Sequence, residues 1–171
     1  MNRPPDITYP FTEQELETAA VEWGANCGPS ALAFALQIGI HQIKGNIPGF
    51  EEKGYTSPTM MKQSLESMGI KWHAALFKGA DGMFSWPDIS LCRIQFTGPW
   101  TAPGANPKWA YRQTHWIACY AVDLQAAMVF DCNGGLMSYG KWREEIVPLL
   151  TSQIKRADGG WYPTHIWRIS R

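Results

Sequence analysis

The chain has 171 residues, enough for one domain with an ordinary core and too few to call for a second. Fifteen basic residues balance fifteen acidic ones, which excludes a global field that would draw nucleic acid or anionic lipid. Nine tryptophans are many for this length, and some of them are expected to line a groove rather than fill the core.

Residues 1–11, with Pro4, Pro5 and Pro10, read as an extended arm. The first twenty residues lack the apolar run of about 7 to 15 residues that a secretory signal needs, and no later run approaches a membrane span. The expectation is a soluble, cytoplasmic protein of a single domain over 1–171, with no membrane or nucleic-acid partner. Thr12 followed by Glu15 is a capping box, and Leu16, Ala19, Ala20 and Trp23 then recur at helical spacing up to Gly24. A second helix is expected from about Gly28 and Pro29, almost wholly apolar from Ala31 to Ile38 and terminated at Gly39, which makes it a buried, central element. After the loop-rich stretch from Gly45 to Thr56, Ser57 and Pro58 restart a helix as N-cap and first residue, with Met61, Leu65 and Met68 on one face and Gly69 at its close.

From Ile70 onward, short aromatic and branched runs predict strands at Ile70–Leu76, Leu91–Phe96, His115–Val122, Ala126–Asp131 and Thr164–Ile169. The intervening loop from Thr97 to Thr114 is long enough to suggest function. A last helix is expected around Tyr139–Leu150, with Pro148 breaking or kinking it near its end. The fold class expected is α+β, with N-terminal helices packed on an antiparallel sheet.

The fragment that carries chemistry is Trp23-Gly-Ala-Asn-Cys27-Gly-Pro-Ser-Ala-Leu-Ala33, where a cysteine stands at the head of a buried helix. A helix N-terminus carries unpaired N–H groups and about half a positive charge, so a thiolate is favoured there and its pKa falls. Gly28 permits close backbone approach at that point. The other cysteines, Cys92, Cys119 and Cys132, are widely spaced and suggest neither a disulfide framework nor a CxxC zinc ribbon, so all four are expected to be reduced.

A thiol nucleophile needs a base. His115 opens the run HWIACYAV after the long loop and so belongs at a strand end on a cleft rim. His41 would lie some 20 Å away along the cysteine's own helix, and His73 and His165 fall within candidate strands as partly buried structural residues. If Val122–Ala126 turns a hairpin, His115 faces Asn133 across it, and Asp131 is the diagonal neighbour on the same face. Either residue then orients the ring and stabilises the imidazolium. A metal site would need three or four converging ligands at recognisable spacing, which no CxxC or HxxxH pair supplies; neither metal nor cofactor is expected.

The order Cys, His, Asp, with NCGPSALA at the head of a buried helix and HW…D on neighbouring strands, resembles the papain-like cysteine peptidases, and within them the bacteriocin-leader-processing branch whose nucleophile motif also reads Cys-Gly-Pro. That resemblance spans about residues 12–135. It implies a papain-like fold and a thiol protease with Cys27 as nucleophile, His115 as base and Asp131 as orienter, acting on a peptide or protein substrate. The family's oxyanion-hole glutamine, about six residues before the cysteine, is Val21 here. Asn26 is the substitute candidate, working with the Cys27 backbone N–H. Trp23, Trp100, Trp109 and Trp116 are the candidates for lining the substrate cleft. Two segments, EEKGYTSPTMM and GPWTAP…THW, further resemble uncharacterised phage and prophage proteins, which would place the protein in a host cytoplasm or a virion. A cell-wall amidase, a glutamine deamidase or transglutaminase-like enzyme with the same three residues, and a non-catalytic binding or virion structural module remain as alternatives.

Overall fold

The structure, a computed structural model, describes residues 7–75, 89–110, 112–120 and 127–170. Residues 1–6 of the expected arm, the expected turn at Val122–Ala126 and the expected strand end at Leu76 lie outside these.

Helix α1 (Glu13–Trp23) starts on the expected capping box, with the Thr12 hydroxyl accepting from the Glu15 N–H and the Glu15 carboxylate accepting from the Thr12 N–H at 2.6 Å. It stops at Gly24, whose φ of 73° closes the helix in the left-handed region. Helix α2 (Cys27–Leu36) begins one residue earlier than expected because Asn26 is its N-cap, its side-chain oxygen accepting from the Gly28 N–H at 3.2 Å. Cys27 is therefore the first residue of the helix rather than the residue before it. The helix ends at Gln37, which takes the left-handed cap itself, and not at Gly39. All of α2 except Cys27 is buried, as its apolar circumference requires.

A short helix, α3 (Phe50–Lys53), interrupts the expected loop, and α4 (Pro58–Ser67) starts on Ser57 with its hydroxyl accepting from the Met60 N–H. The strands are β1 (Lys71–Ala74), β2 (Ile89–Phe96), β3 (Thr114–Tyr120), β4 (Met128–Asp131), β5 (Gly135–Ser138) and β6 (Trp161–Ser170). They form one antiparallel sheet in the order β1-β6-β2-β3-β4-β5. The long loop between β2 and β3 carries a 3-10 turn at Pro99–Thr101 and one α-helical turn, α5 (Pro107–Ala110). Strand β5 was not among the expected strands; it pairs with β4 across the turn at Cys132–Gly134.

The chain then runs helically through α6 (Tyr139–Lys141), a wide π turn over Trp142–Ile146, and α7 (Val147–Ser152). Proline has no N–H to donate, and its ring crowds the carbonyl one turn earlier. The π turn accommodates this, so Pro148 sits in the first turn of α7 and does not break the helix near its end.

The sheet separates two apolar clusters. On one face α2 packs against β3 and β4, with Phe34 stacked on Phe130 at 4.2 Å between ring centres. On the other face Trp142, Ile146 and Val147 cover Ile117, Cys119 and Val129. Residues 7–11 do not stand away as an arm: Phe11 is buried against Phe34 and Phe130, and the Leu136 N–H donates to the Tyr9 hydroxyl. No helix among the described residues is long and apolar enough to cross a membrane.

Candidate active site

Among the described residues, strand β4 pairs with β3 along Ala118–Tyr120, in the register Ala118↔Phe130, Cys119↔Val129, Tyr120↔Met128. This is the register expected from the sequence. Below Ala118 the β4 side of β3 is open, and the head of α2 comes to that opening. The Cys27 thiol meets the His115 ring and the Trp116 backbone N–H there. His115 Nε2 lies 2.9 Å from Asp131 Oδ2, which leaves Nδ1 as the nitrogen facing Cys27.

Asp131 is wholly buried and saturated with donors. Its Oδ2 also accepts from Trp142 Nε1 at 2.8 Å, and its Oδ1 accepts from the Asn133 backbone N–H and side-chain Nδ2, each at 2.9 Å. Asn133 thus acts on the carboxylate, which in turn holds the ring. Burial alone would raise the Asp131 pKa, but His115, Trp142 and Asn133 outweigh it and hold the carboxyl down to about 2. Burial likewise opposes charge on His115, yet Cys27 and Asp131 together raise its pKa well above the ordinary imidazole value. For Cys27, burial pushes the thiol up, while the charge and hydrogen bond of His115, with the Trp116 N–H, bring it below the ordinary thiol value. The directions agree: each group shifts the other towards its charged form, which favours thiolate and imidazolium over the neutral pair.

A loop over residues 54–57 forms one wall beside Cys27 and is held by two bonds. Asn26 Nδ2 donates to the Gly54 carbonyl at 2.8 Å, and Trp116 Nε1 donates to the Thr56 carbonyl at 2.8 Å. Gly28 is required at this contact, because a Cβ there would stand 2.2 Å from Thr56 Oγ1. Asn26, the candidate oxyanion donor, thus caps α2 with its oxygen and staples this loop with its nitrogen. The Cys27 N–H, at the first position of α2, has no acceptor within the helix. Val21 is 88% exposed on α1 and takes no part.

Of the tryptophans, Trp116 lines the cleft that opens beside Cys27. Trp23 is buried edge-on against Phe50, and Trp100 folds over Gly98 with its N–H on the Phe96 carbonyl. Trp109 is 59% exposed on α5. None of these three lines either cleft beside Cys27. Among the histidines, His73 stands exposed on the edge strand β1 rather than partly buried, and His165 faces the cleft.

Two neighbours of the site were not expected. Trp142 comes from the helical stretch after β5, and nothing in its local pattern marks it as a donor to Asp131. Cys132 follows Asp131 directly and shares a groove with Cys27 and His115. Burial, and then the charge of Cys27, hold its thiol protonated. His115, Asp131 and Cys132 also offer metal-ligand atoms within 4.8 Å of one another.

No family model, no curated protein and no solved structure matches this chain.

Proposed function

We propose that the protein is a thiol hydrolase of papain-like type that cleaves a peptide or isopeptide bond. The carrying observation is the chain of contacts from Cys27 at the head of α2, through the His115 ring, to the four-donor Asp131 carboxylate. In this reading the Cys27 thiolate attacks the acyl carbon, and the tetrahedral oxyanion is received by the Cys27 N–H at the positive end of α2. The C–N bond breaks as the imidazolium gives its proton to the leaving amine, leaving a thioester. Water then attacks the thioester, His115 takes its proton, and the carboxylic product leaves as Cys27 is regenerated. Asp131 stays ionised throughout and holds the ring in one tautomer.

The test is the rate of Cys27 alkylation by iodoacetamide across pH, with the modified cysteine identified by mass spectrometry. In wild type the half-rise is expected below the free-thiol value of about 8.5, and His115→Ala is expected to move it upward. An inert Cys27 at neutral pH, or an unchanged profile in His115→Ala, overturns the proposal. A second reading, a binding module with little turnover, is favoured by one observation: the Asn26 amide that would complete an oxyanion hole donates to Gly54. An alkylation profile as expected, together with no hydrolysis across a broad peptide library, would select it.

A further inference from the structure

Cys27 sits where two clefts of opposite charge meet. The larger, of about 780 Å³, is lined by Arg93, Lys108, Arg112 and His165 together with Thr114 and the loop at Thr56, and no acidic side chain lines it among the described residues. The smaller, of about 520 Å³, holds Cys27, His115 and Cys132 on one side and Glu13 and Glu17 of α1 on the other. In a chain with no net charge, this segregation across one thiol is a local feature.

The basic cleft is built into the sheet. Arg93 is only 3% exposed, in the middle of β2, and its guanidinium donates to the hydroxyls of Thr164 at 3.2 Å and Thr114 at 3.1 Å. Thr164 is brought there by a bulge: β6 pairs His165 with Arg93 and Pro163 with Ile94, so Thr164 is the extra residue, and its hydroxyl donates back to the Arg93 carbonyl at 3.1 Å. The fixed cation therefore lies in the floor of the cleft, with Lys108 and Arg112 on the rim. His165 adds no charge at neutral pH, because burial and then the charge of Arg93 lower its pKa. The Ser57–Pro58–Thr59 turn that opens α4 lines the same cleft and brings the positive end of a ten-residue helix to it.

We propose that this cleft takes a carboxylate of the substrate, next to the scissile amide, so that the substrate lies across Cys27 with its anionic end towards Arg93 and away from Glu13 and Glu17. This rests on the thiol-hydrolase reading and adds the substrate class to it. The carboxylate comes either from an acidic side chain or from a free chain terminus, both of which a guanidinium with flanking cations recognises in the same way.

The charge preference is read at Cys27 itself with two alkylating reagents that differ in charge, iodoacetate and iodoacetamide. Their rate ratio, normalised to a small neutral thiol, is expected to favour iodoacetate roughly tenfold at low salt. It is expected to fall towards unity at about 0.5 M salt, where screening is short-ranged. In Lys108→Glu/Arg112→Glu, which alters only exposed positions, the ratio is expected to collapse while iodoacetamide still reacts. A ratio that salt and the double variant leave unchanged overturns the proposal and leaves the nucleophile reading intact. The source is separated by protecting Cys27 from iodoacetamide with acetyl-Glu-NH2, whose carboxylate is on the side chain, or with acetyl-Gly-Gly, whose carboxylate is terminal. Protection by one names the source, and protection by neither overturns the proposal. Should Cys27 resist both reagents, the hydrolase reading fails separately, and the cleft is read by thermal shift with the same two compounds. A stabilisation lost in the double variant supports carboxylate binding, and no stabilisation overturns it.

Discussion

Asp131→Asn is the sharpest perturbation of the site, because it keeps the shape and reverses the hydrogen-bonding role of one atom. The native carboxylate accepts from His115 and Trp142 on Oδ2, and from two Asn133 donors on Oδ1. An asparagine must put its NH2 on one of these sides. Turned towards Asn133, the NH2 faces two donors. Turned towards Oδ2's partners, it faces the indole N–H, a second donor, and forces His115 Nε2 to become an acceptor. Either orientation leaves at least one buried donor unpaired, at about 1 to 3 kcal/mol, and weakens bonds that the charge had strengthened. The expected loss of stability at pH 7 is about 2 to 4 kcal/mol. Part of it depends on pH in a defined direction. The Asp131 pKa is depressed from 3.8 to about 2, so its contribution is complete above pH 4 and disappears as pH falls through about 2. That contribution is worth roughly 2 kcal/mol, so the gap between wild type and variant should narrow by this amount between pH 4 and 2. Urea denaturation over pH 2 to 8 measures the gap, and ring NMR of His115 follows the accompanying fall in its pKa. A variant with the wild-type urea midpoint at pH 7, or a gap that does not narrow in acid, would refute the account of Asp131 as a saturated, ionised acceptor.

Trp142→Phe removes one of the four donors and some ring volume from a fully buried position. It is expected to cost about 2 to 4 kcal/mol in a urea melt and to raise the Asp131 pKa, read from the acid limb of the stability curve. Gly28→Ala forces a Cβ onto Thr56, so it should destabilise by about 1 to 3 kcal/mol and slow Cys27 alkylation, with Thr56→Gly restoring both. Protein purified without chelator should carry no stoichiometric zinc by native mass spectrometry. One bound equivalent, lost in His115→Ala, would replace the nucleophile with a metal centre at His115, Asp131 and Cys132.

Local chemistry was enough to locate much of this molecule in the sequence. The capping box at Thr12 and Glu15, the Ser57-Pro58 start of α4 and the apolar circumference of α2 each specify their element through contacts within a few residues. The register of β3 with β4 is the one that a hairpin turn at Val122–Ala126 sets, and strand periodicity supports it, since a slip by one residue would exchange the core and site faces of both strands. His115 and Asp131 are within reach of each other for that reason. Other features were invisible because their causes lie far away in the chain. Asn26 looks like a free amide until α2 and Gly54 claim its two ends, and His165 looks like a strand residue until the bulge at Thr164 opens its side of the sheet onto the cleft. Trp142, eleven residues beyond Asp131, reaches the carboxylate because its helical stretch packs over Ile117, Cys119 and Val129 on the face of the sheet away from α2. Sequence determined the capped helices, the main strands and which residues share a face, because those are short-range properties of the backbone, whereas β5 exists through its pairing with β4. Tertiary structure alone decided which buried charge meets which donor, because that depends on where separate elements cross.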